Sequence, residues 1–344
     1  MRNGIAAAVR GFFPGYFALV MATGIVSLAA HFCGFERVAT GLLWINLAAY
    51  AAIWGINVAR LFLYTKAVRD DLVQHARGAG FLTVVAATSV LGSQLVILLG
   101  ARGAGLALWI LAALLWLFLI YAFFGAVTVV SPKPSLEAGL NGGWLLAVVS
   151  TESLAVLGVL VAPFAPSPAI VLFCALAACF AGAMLYVLLM SMILQRWLFH
   201  AVEPRSMTPP YWINMGALAI TTLAGCRLLL AKDAWPPLAR LAPFIEGITL
   251  FFWANATWWI PLLGLLGLWR HVLRRLPIAY DPQYWSLVFP LGMYSVATYN
   301  VEKATDISLL ASIPPLAFGA AFVAWLLAFA GMLRALVGVL RARM

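Results

Sequence analysis

The chain has 344 residues, of which 65% are apolar and 9% charged, with a mean hydropathy of +1.02. This composition excludes a water-soluble core-and-surface protein and points to a polytopic membrane protein. The formal net charge is +10, but the basic residues fall in joints between apolar stretches, which assigns them to membrane topology and not to a nucleic-acid partner.

A hydrocarbon core of about 30 Å requires roughly 20 apolar residues per helix. The periodicity predicts ten spans: 12–34, 39–64, 80–100, 104–130, 141–162, 168–194, 210–230, 243–268, 282–301 and 312–338. The first is too long for a secretory apolar region and is expected to be retained. No joint is long enough for a second domain, so residues 1–344 read as one ten-span unit. The alternating ten-residue segments of a membrane β-barrel do not occur. Cys33, Cys174, Cys179 and Cys226 lie in apolar runs and suggest packing roles.

Ten spans place both termini on one side. With the N-terminus inside, only Arg37, Arg102, Arg227, Lys232, Arg240 and Lys303 of the 21 basic residues lie at outer ends or joints. The remaining 15 are inside, which predicts cytoplasmic termini in an inner (plasma) membrane.

The spans alternate in kind. Odd spans carry small and hydroxyl residues: ATGIVSLAA at 22–30, AATSVLGSQ at 86–94, VVSTESLAVLG at 148–158, AITTLAG at 219–225 and YSVATYN at 294–300. Even spans are bulky, as in LWILAALLWLFLIYAFF at 108–124. Large side chains are at home in lipid, whereas hydroxyls are better satisfied against other helices or water. A single small-residue stripe marks tight packing as readily as a lumen. Its recurrence in five odd spans predicts five helical hairpins, with an inner ring of odd helices around a central pore and an outer ring of even ones. The pore-lining candidates are Thr23 and Ser27, Thr88 and Ser89, Ser150 and Thr151, Thr221 and Thr222, and Ser295 and Thr298.

Of eleven acids only Glu152 falls near the middle of a span. An ionisable residue there costs about 2.5–3.5 kcal/mol on insertion scales, so it calls for a partner, a wet cavity or a proton. Glu152 is therefore the candidate for proton or anion coupling; a glutamate locking its helix to neighbours explains it equally well. Arg227, near the outer end of the seventh span, is a candidate for drawing anions to the mouth, or a snorkelling topological arginine. Asp70, Asp71 and His75 lie in a basic joint and read as a solvated loop with helix-start acids. No nucleophile and base arrangement, phosphate loop or metal-ligand spacing is found, so neither an enzyme nor a cofactor is expected.

Four stretches carry a resemblance: FPGYFALVMATGIVS at 13–27, LNGGWLLAVVSTESLAVLG at 140–158, PPYWINMGALAITTLAG at 209–225 and YWSLVFPLGMYSVAT at 284–298. With them the chain resembles the tellurite-resistance/dicarboxylate transporter family, which includes plant guard-cell slow anion channels, fungal malate permeases and sulfite exporters. The resemblance implies ten helices in five hairpins, homotrimeric assembly, and a pore occluded by the phenylalanine of a Phe-Pro pair in the ninth span, here Phe289 and Pro290. It implies small inorganic or organic anions as substrates: chloride, nitrate, sulfite, tellurite or a C4-dicarboxylate such as malate. This chain departs from many relatives at Glu152, and from the plant channels around Asn300, where they carry a lysine, and in lacking their long cytoplasmic tails. Proton-coupled transport through Glu152 is the alternative to a simple channel, and a membrane-embedded transferase the remote one.

Overall fold

The computed structural model describes residues 2–341, and every regular element among them is helical. Ten long helices organise the molecule, labelled here α1 (Ala18–Phe32), α2 (Glu36–Leu63), α3 (Thr83–Leu99), α4 (Arg102–Val129), α5 (Leu146–Val161), α6 (Pro168–Phe199), α7 (Ile213–Leu230), α8 (Pro236–Leu268), α9 (Trp285–Thr305) and α10 (Ile313–Arg341). Short helices at Arg2–Arg10, Thr65–Leu72 and Leu136–Gly139 decorate the joints. Nine of the long helices, each counted with its flanking turn, are long and apolar enough to cross a membrane. The exception is α9, whose 21 residues include four hydroxyls from Ser and Thr together with Glu302 and Lys303.

Burial separates the helices into two classes. The most apolar windows of α1, α3, α5 and α7 are 83, 72, 94 and 89% buried, whereas those of α2, α4, α6, α8 and α10 are only 22, 17, 44, 28 and 22% buried. Helix α9 belongs with the first class, since Val288 to Pro290 and Gly292 to Thr298 are buried. Contacts among the buried helices run α1–α3, α3–α5, α5–α7, α7–α9 and α9–α1, which closes a ring of five. Each even helix packs on the odd helix before it and also touches the odd helix after it, with α10 returning to α1. The even helices therefore sit in the grooves of the ring and present Phe118, Tyr121, Phe251, Trp258 and Leu327 outward.

Small residues permit this closure. At every ring interface a glycine stands where a Cβ would collide: Gly24 of α1 with Val90 (2.5 Å), Gly92 of α3 with Leu157 (2.6 Å), and Gly142 before α5 with the carbonyl oxygen of Pro210 (2.4 Å). Gly216 of α7 would strike Pro290 (2.7 Å), and Gly292 of α9 would strike Ile25 (2.9 Å). Between helices in lipid there is no hydrophobic driving force, so close backbone approach and its dispersion contacts supply the attraction.

The joint at 64–80 departs from expectation. Asp71 is not solvated: it is 7% exposed and accepts from Arg60 Nη2 at 2.5 Å and Arg77 Nε at 2.7 Å. Arg60 is itself buried, so one carboxylate on the Thr65–Leu72 helix is shared by two guanidiniums, from α2 and the turn before α3, and the cluster keeps a net positive charge. Asp70, one residue earlier, pairs with Lys66 on the exposed face. Helix α8 also starts seven residues earlier than expected, because Pro236 and Pro237 occupy its first turn, where a missing N–H costs nothing, and the helix continues through Pro243.

Replacing Gly142 by valine should lower stability by about 1–3 kcal/mol or more, since the obstructing atom is a backbone carbonyl that cannot rotate away. Gly264→Ala on α8, which meets nothing within 4 Å, should be neutral or stabilising by up to about 1 kcal/mol. Thermal unfolding of the two detergent-solubilised variants, followed by size-exclusion chromatography, separates them.

Candidate functional site

The helices of the ring all begin in the same way. Each odd helix is preceded by a 3₁₀ turn, at Pro14–Phe17, Gly78–Leu82, Gly142–Leu145, Pro209–Trp212 and Pro282–Tyr284. The turn sequences PGYF, GAGFL, GGWL, PPYW and PQY share a Pro or Gly start and an aromatic within five residues. Proline presets the helical φ and lacks a donor that would be orphaned, while glycine allows backbones to approach. All five turns contribute to the wall of one cavity of about 480 Å³, through Gly15, Gly80, Gly143, Tyr211 and Gln283 among others. Five helix N-termini, each with orphan N–H groups and roughly half a positive charge, thus surround one vestibule.

Four charged residues line the vestibule: Arg77, Glu137, Arg196 and Asp281. Arg77 is paired with Asp71, which it shares with Arg60, and stacks on Phe13, its guanidinium 5.1 Å from the ring centroid. Asp281 caps its turn by accepting from the Gln283 N–H at 2.8 Å. Glu137 pairs with His200 at 2.5 Å. Its carboxyl is held down at about 2 by hydrogen bonds from Ser135, its own backbone and His200, so it is a fixed negative charge at neutral pH. Arg196, near the end of α6, donates to the Tyr211 hydroxyl.

A second, much smaller cavity of about 20 Å³ lies two helical turns further along the ring and has room for about one water. The registers match: Thr83, Leu146, Ile213 and Ser286 line the vestibule, and Val90, Ser153, Ile220 and Met293, each seven residues on, line the small cavity. Residues seven apart share a helix face. Phe289 comes three residues after Ser286 and four before Met293, on that face of α9, and lines neither cavity; it is 1% exposed. It therefore falls in the closed layer between them. Pro290 sits in the notch left by Gly216, and α9 runs on as a helix through it.

The hydroxyls expected to line a lumen take a different course. Thr23, Thr88, Thr151 and Thr298 meet polar tips of aromatic residues on even helices: Trp325 Nε1 (3.0 Å), Tyr50 Oη (2.8 Å), Trp116 Nε1 (2.8 Å) and Trp253 Nε1 (3.0 Å). In each case the even helix is the one lying in the groove before that odd helix. Ser27 and Ser295 donate to Ala39 and Pro314 carbonyls on α2 and α10. These six bond to the outer helices and line neither cavity. An indole N–H facing apolar surroundings must find an acceptor, and the nearest hydroxyl on the inner ring supplies it. Ser150, Thr221 and Thr222 donate to carbonyls of their own helices. Ser89 alone of the ten lines the small cavity, joined there by Ser93 and Ser153, which the sequence reading passed over.

Glu152 is 0% exposed, and Thr221 and Cys179 lie within reach of its carboxyl without well-formed hydrogen-bond geometry. It points away from both cavities, toward α6, where a Cβ on Gly182 would lie 2.4 Å from Oε1. Arg227 does reach the small cavity and lies 5.8 Å from the Phe32 ring. Arg77 and Arg196 were not singled out from the sequence. The repeated Pro/Gly-aromatic turns were the signal that would have located the vestibule they line.

The profile of the voltage-dependent anion channel (SLAC1) family matches residues 11–333. An uncharacterized transporter of Methanocaldococcus jannaschii is 25% identical over 312 residues, covering 88% of this chain and 87% of its own. The sulfite efflux pump SSU1 of Trichophyton rubrum is 24% identical over 315 residues, covering 86% and 83%. An uncharacterized membrane protein of Mycobacterium tuberculosis is 37% identical over 156 residues, which is 45% of this chain and 79% of that one. The family consists of channels and transporters, not enzymes. With a match over nearly its whole length, the chain belongs to the voltage-dependent anion channel (SLAC1) family and is a membrane anion permease.

Proposed function

We propose that the ten long helices cross the membrane as five hairpins, that the axis of the five-helix ring is the anion path, and that Phe289 closes it. The observation that carries this reading is the register of α9: Ser286, Phe289 and Met293 share one face, with a cavity at the first and last and a closed layer at the phenylalanine. Pro290 in the Gly216 notch fixes the backbone under the ring of Phe289, so movement of the side chain, or of α9 against α7, opens the layer. Selectivity follows from what surrounds the path. Five helix N-termini at the vestibule and Arg227 at the small cavity favour negative charge, and serine hydroxyls replace only a fraction of an anion's hydration shell. Small anions that dehydrate readily should therefore pass best. Sulfite is included among the substrates on the likeness to the sulfite efflux pump. A homotrimer in the plasma membrane, with the vestibule and both termini cytoplasmic, completes the reading; it rests on the family resemblance and on the 15 basic residues of the inner segments.

Phe289→Ala should raise anion conductance in voltage-clamped cells at least about tenfold, equivalent to removing about 1.4 kcal/mol of barrier. Conductance unchanged in a folded, membrane-inserted variant removes Phe289 as the gate. A reversal potential that follows the cation gradient contradicts the anion path altogether.

A second reading is favoured by one observation, the carboxyl of Glu152 at zero exposure with no cation beside it and only Thr221 and Cys179 against it. An ionised group left so is strongly unfavourable, whereas a proton on it removes the charge. In that reading Glu152 carries a proton between α5 and α6 as the anion moves. Glu152→Gln should then abolish uptake driven by a pH gradient in proteoliposomes while sparing anion exchange. Persistence of pH-driven uptake assigns Glu152 to helix packing alone.

A further inference from the structure

The vestibule holds a cation that no ion pair among the described residues takes up, although the Glu137 carboxylate acts on it through space. Arg77 is bound by Asp71. Arg196 takes part in none of the ion pairs among the described residues. It is 6% exposed, its Nε has no hydrogen-bond partner, and it lines the vestibule wall. Tyr211 holds it from one side, by the hydroxyl and by its ring, 5.8 Å from the guanidinium carbon. That leaves the buried Nε–H without a partner among the described residues, inside a concave site ringed by helix N-termini. A buried guanidinium with free N–H groups is costly unless an acceptor arrives.

We propose that Arg196 is the core of an anion-binding site in the vestibule, specific for oxyanions and carboxylates, where the permeant anion is recognised before the Phe289 layer. The preference for paired oxygens follows from the guanidinium, whose parallel N–H groups match a planar carboxylate or two oxygens of an oxyanion and engage a halide less completely. Glu137 has the opposite role. It lines the same cavity, is anchored to the end of α6 through His200, and repels an incoming anion from Arg196. The site is thus a cation tempered by a carboxylate, which keeps binding weak enough for release, as conduction requires. The argument rests on the vestibule being part of the anion path, but the binding itself is measurable without transport.

The test is calorimetric titration of sulfite, and separately of malate and chloride, into the purified full-length protein in detergent. Wild type should bind sulfite saturably and chloride at least about tenfold more weakly. Arg196→Gln should raise the sulfite Kd at least about tenfold. Arg196→Lys, which keeps the charge and loses the fork, should fall between. Glu137→Gln should tighten binding about two- to fivefold. Tyr211→Phe, which removes the hydroxyl and keeps the charge, should stay within about threefold of wild type and shows whether Arg196→Gln acts merely through lost packing. No saturable sulfite binding to wild type overturns the proposal, as does an unchanged Kd in folded Arg196→Gln or weakened binding in Glu137→Gln. A Phe289→Ala variant with unaltered conductance alongside Arg196-dependent binding would retain the site and remove the gate; raised conductance with Arg196-independent binding would do the reverse.

Discussion

Close approach of backbones at the five interfaces of the inner ring is the constraint on which the remaining architecture depends. Gly24, Gly92, Gly142, Gly216 and Gly292 each occupy a point where a methyl group would lie 2.4–2.9 Å from a neighbour. In a bilayer, helix association gains nothing from apolar transfer, so the attraction comes from dispersion over closely fitted surfaces and from hydrogen bonds between helices. Once the ring is drawn this tight, its interior leaves only a small cavity beyond the Phe289 layer, and the outer helices settle into grooves of defined spacing. The indole and phenol groups of those outer helices then meet the hydroxyls of α1, α3, α5 and α9 in four equivalent places. One packing constraint thus sets both the width of the ring's interior and the position of the outer helices.

The same arrangement makes the two ends of the ring unlike each other. At one end five helices begin in turns rich in Pro, Gly and aromatic residues, and their dipoles converge on a cavity of about 480 Å³. At the other, the cavity holds about one water and ends at Arg227. The buried cluster of Arg60, Asp71 and Arg77 fixes the turn before α3 at the wide end, and the Glu137–His200 pair fixes the loop before α5 to the end of α6. Arg60, Asp71, Arg77, Glu137 and His200 are thus engaged in holding the turns in place, whereas Arg196, which lines the same cavity, is in none of the ion pairs among the described residues. Ion pairs of this kind matter less for their net stability, which desolvation largely offsets, than for the geometry that they impose.

Much of this was legible in the residues. Hydropathy marked the spans, alternation of bulky and small-residue segments separated outer from inner helices, and Phe289-Pro290 marked the ninth span. The direction taken by the hydroxyls was not legible. Thr23, Thr88, Thr151 and Thr298 look the same in sequence whether they face a lumen or a neighbouring helix, because a hydroxyl in an apolar span needs a partner in either case. Ser93 and Ser153, one turn and a few residues from the chosen candidates, face the small cavity instead. Asp71 was misread for a related reason: a carboxylate in a basic joint is usually solvated, and only the fold brings Arg60, eleven residues earlier, against it.

A helical membrane protein, its buried helices and the repetition of the inner ones can all be read from the residues alone, since each depends on composition summed over a span. The azimuth of every inner helix comes from the fold, and with it which hydroxyls bond outward, that Glu152 points to Gly182 and not to either cavity, and that Arg196 reaches the vestibule. Small residues pack on any side, so they leave the rotation of a helix open. That rotation was set by contacts at Gly142, Gly216 and Gly292 with partners about 70 to 270 residues away in the chain.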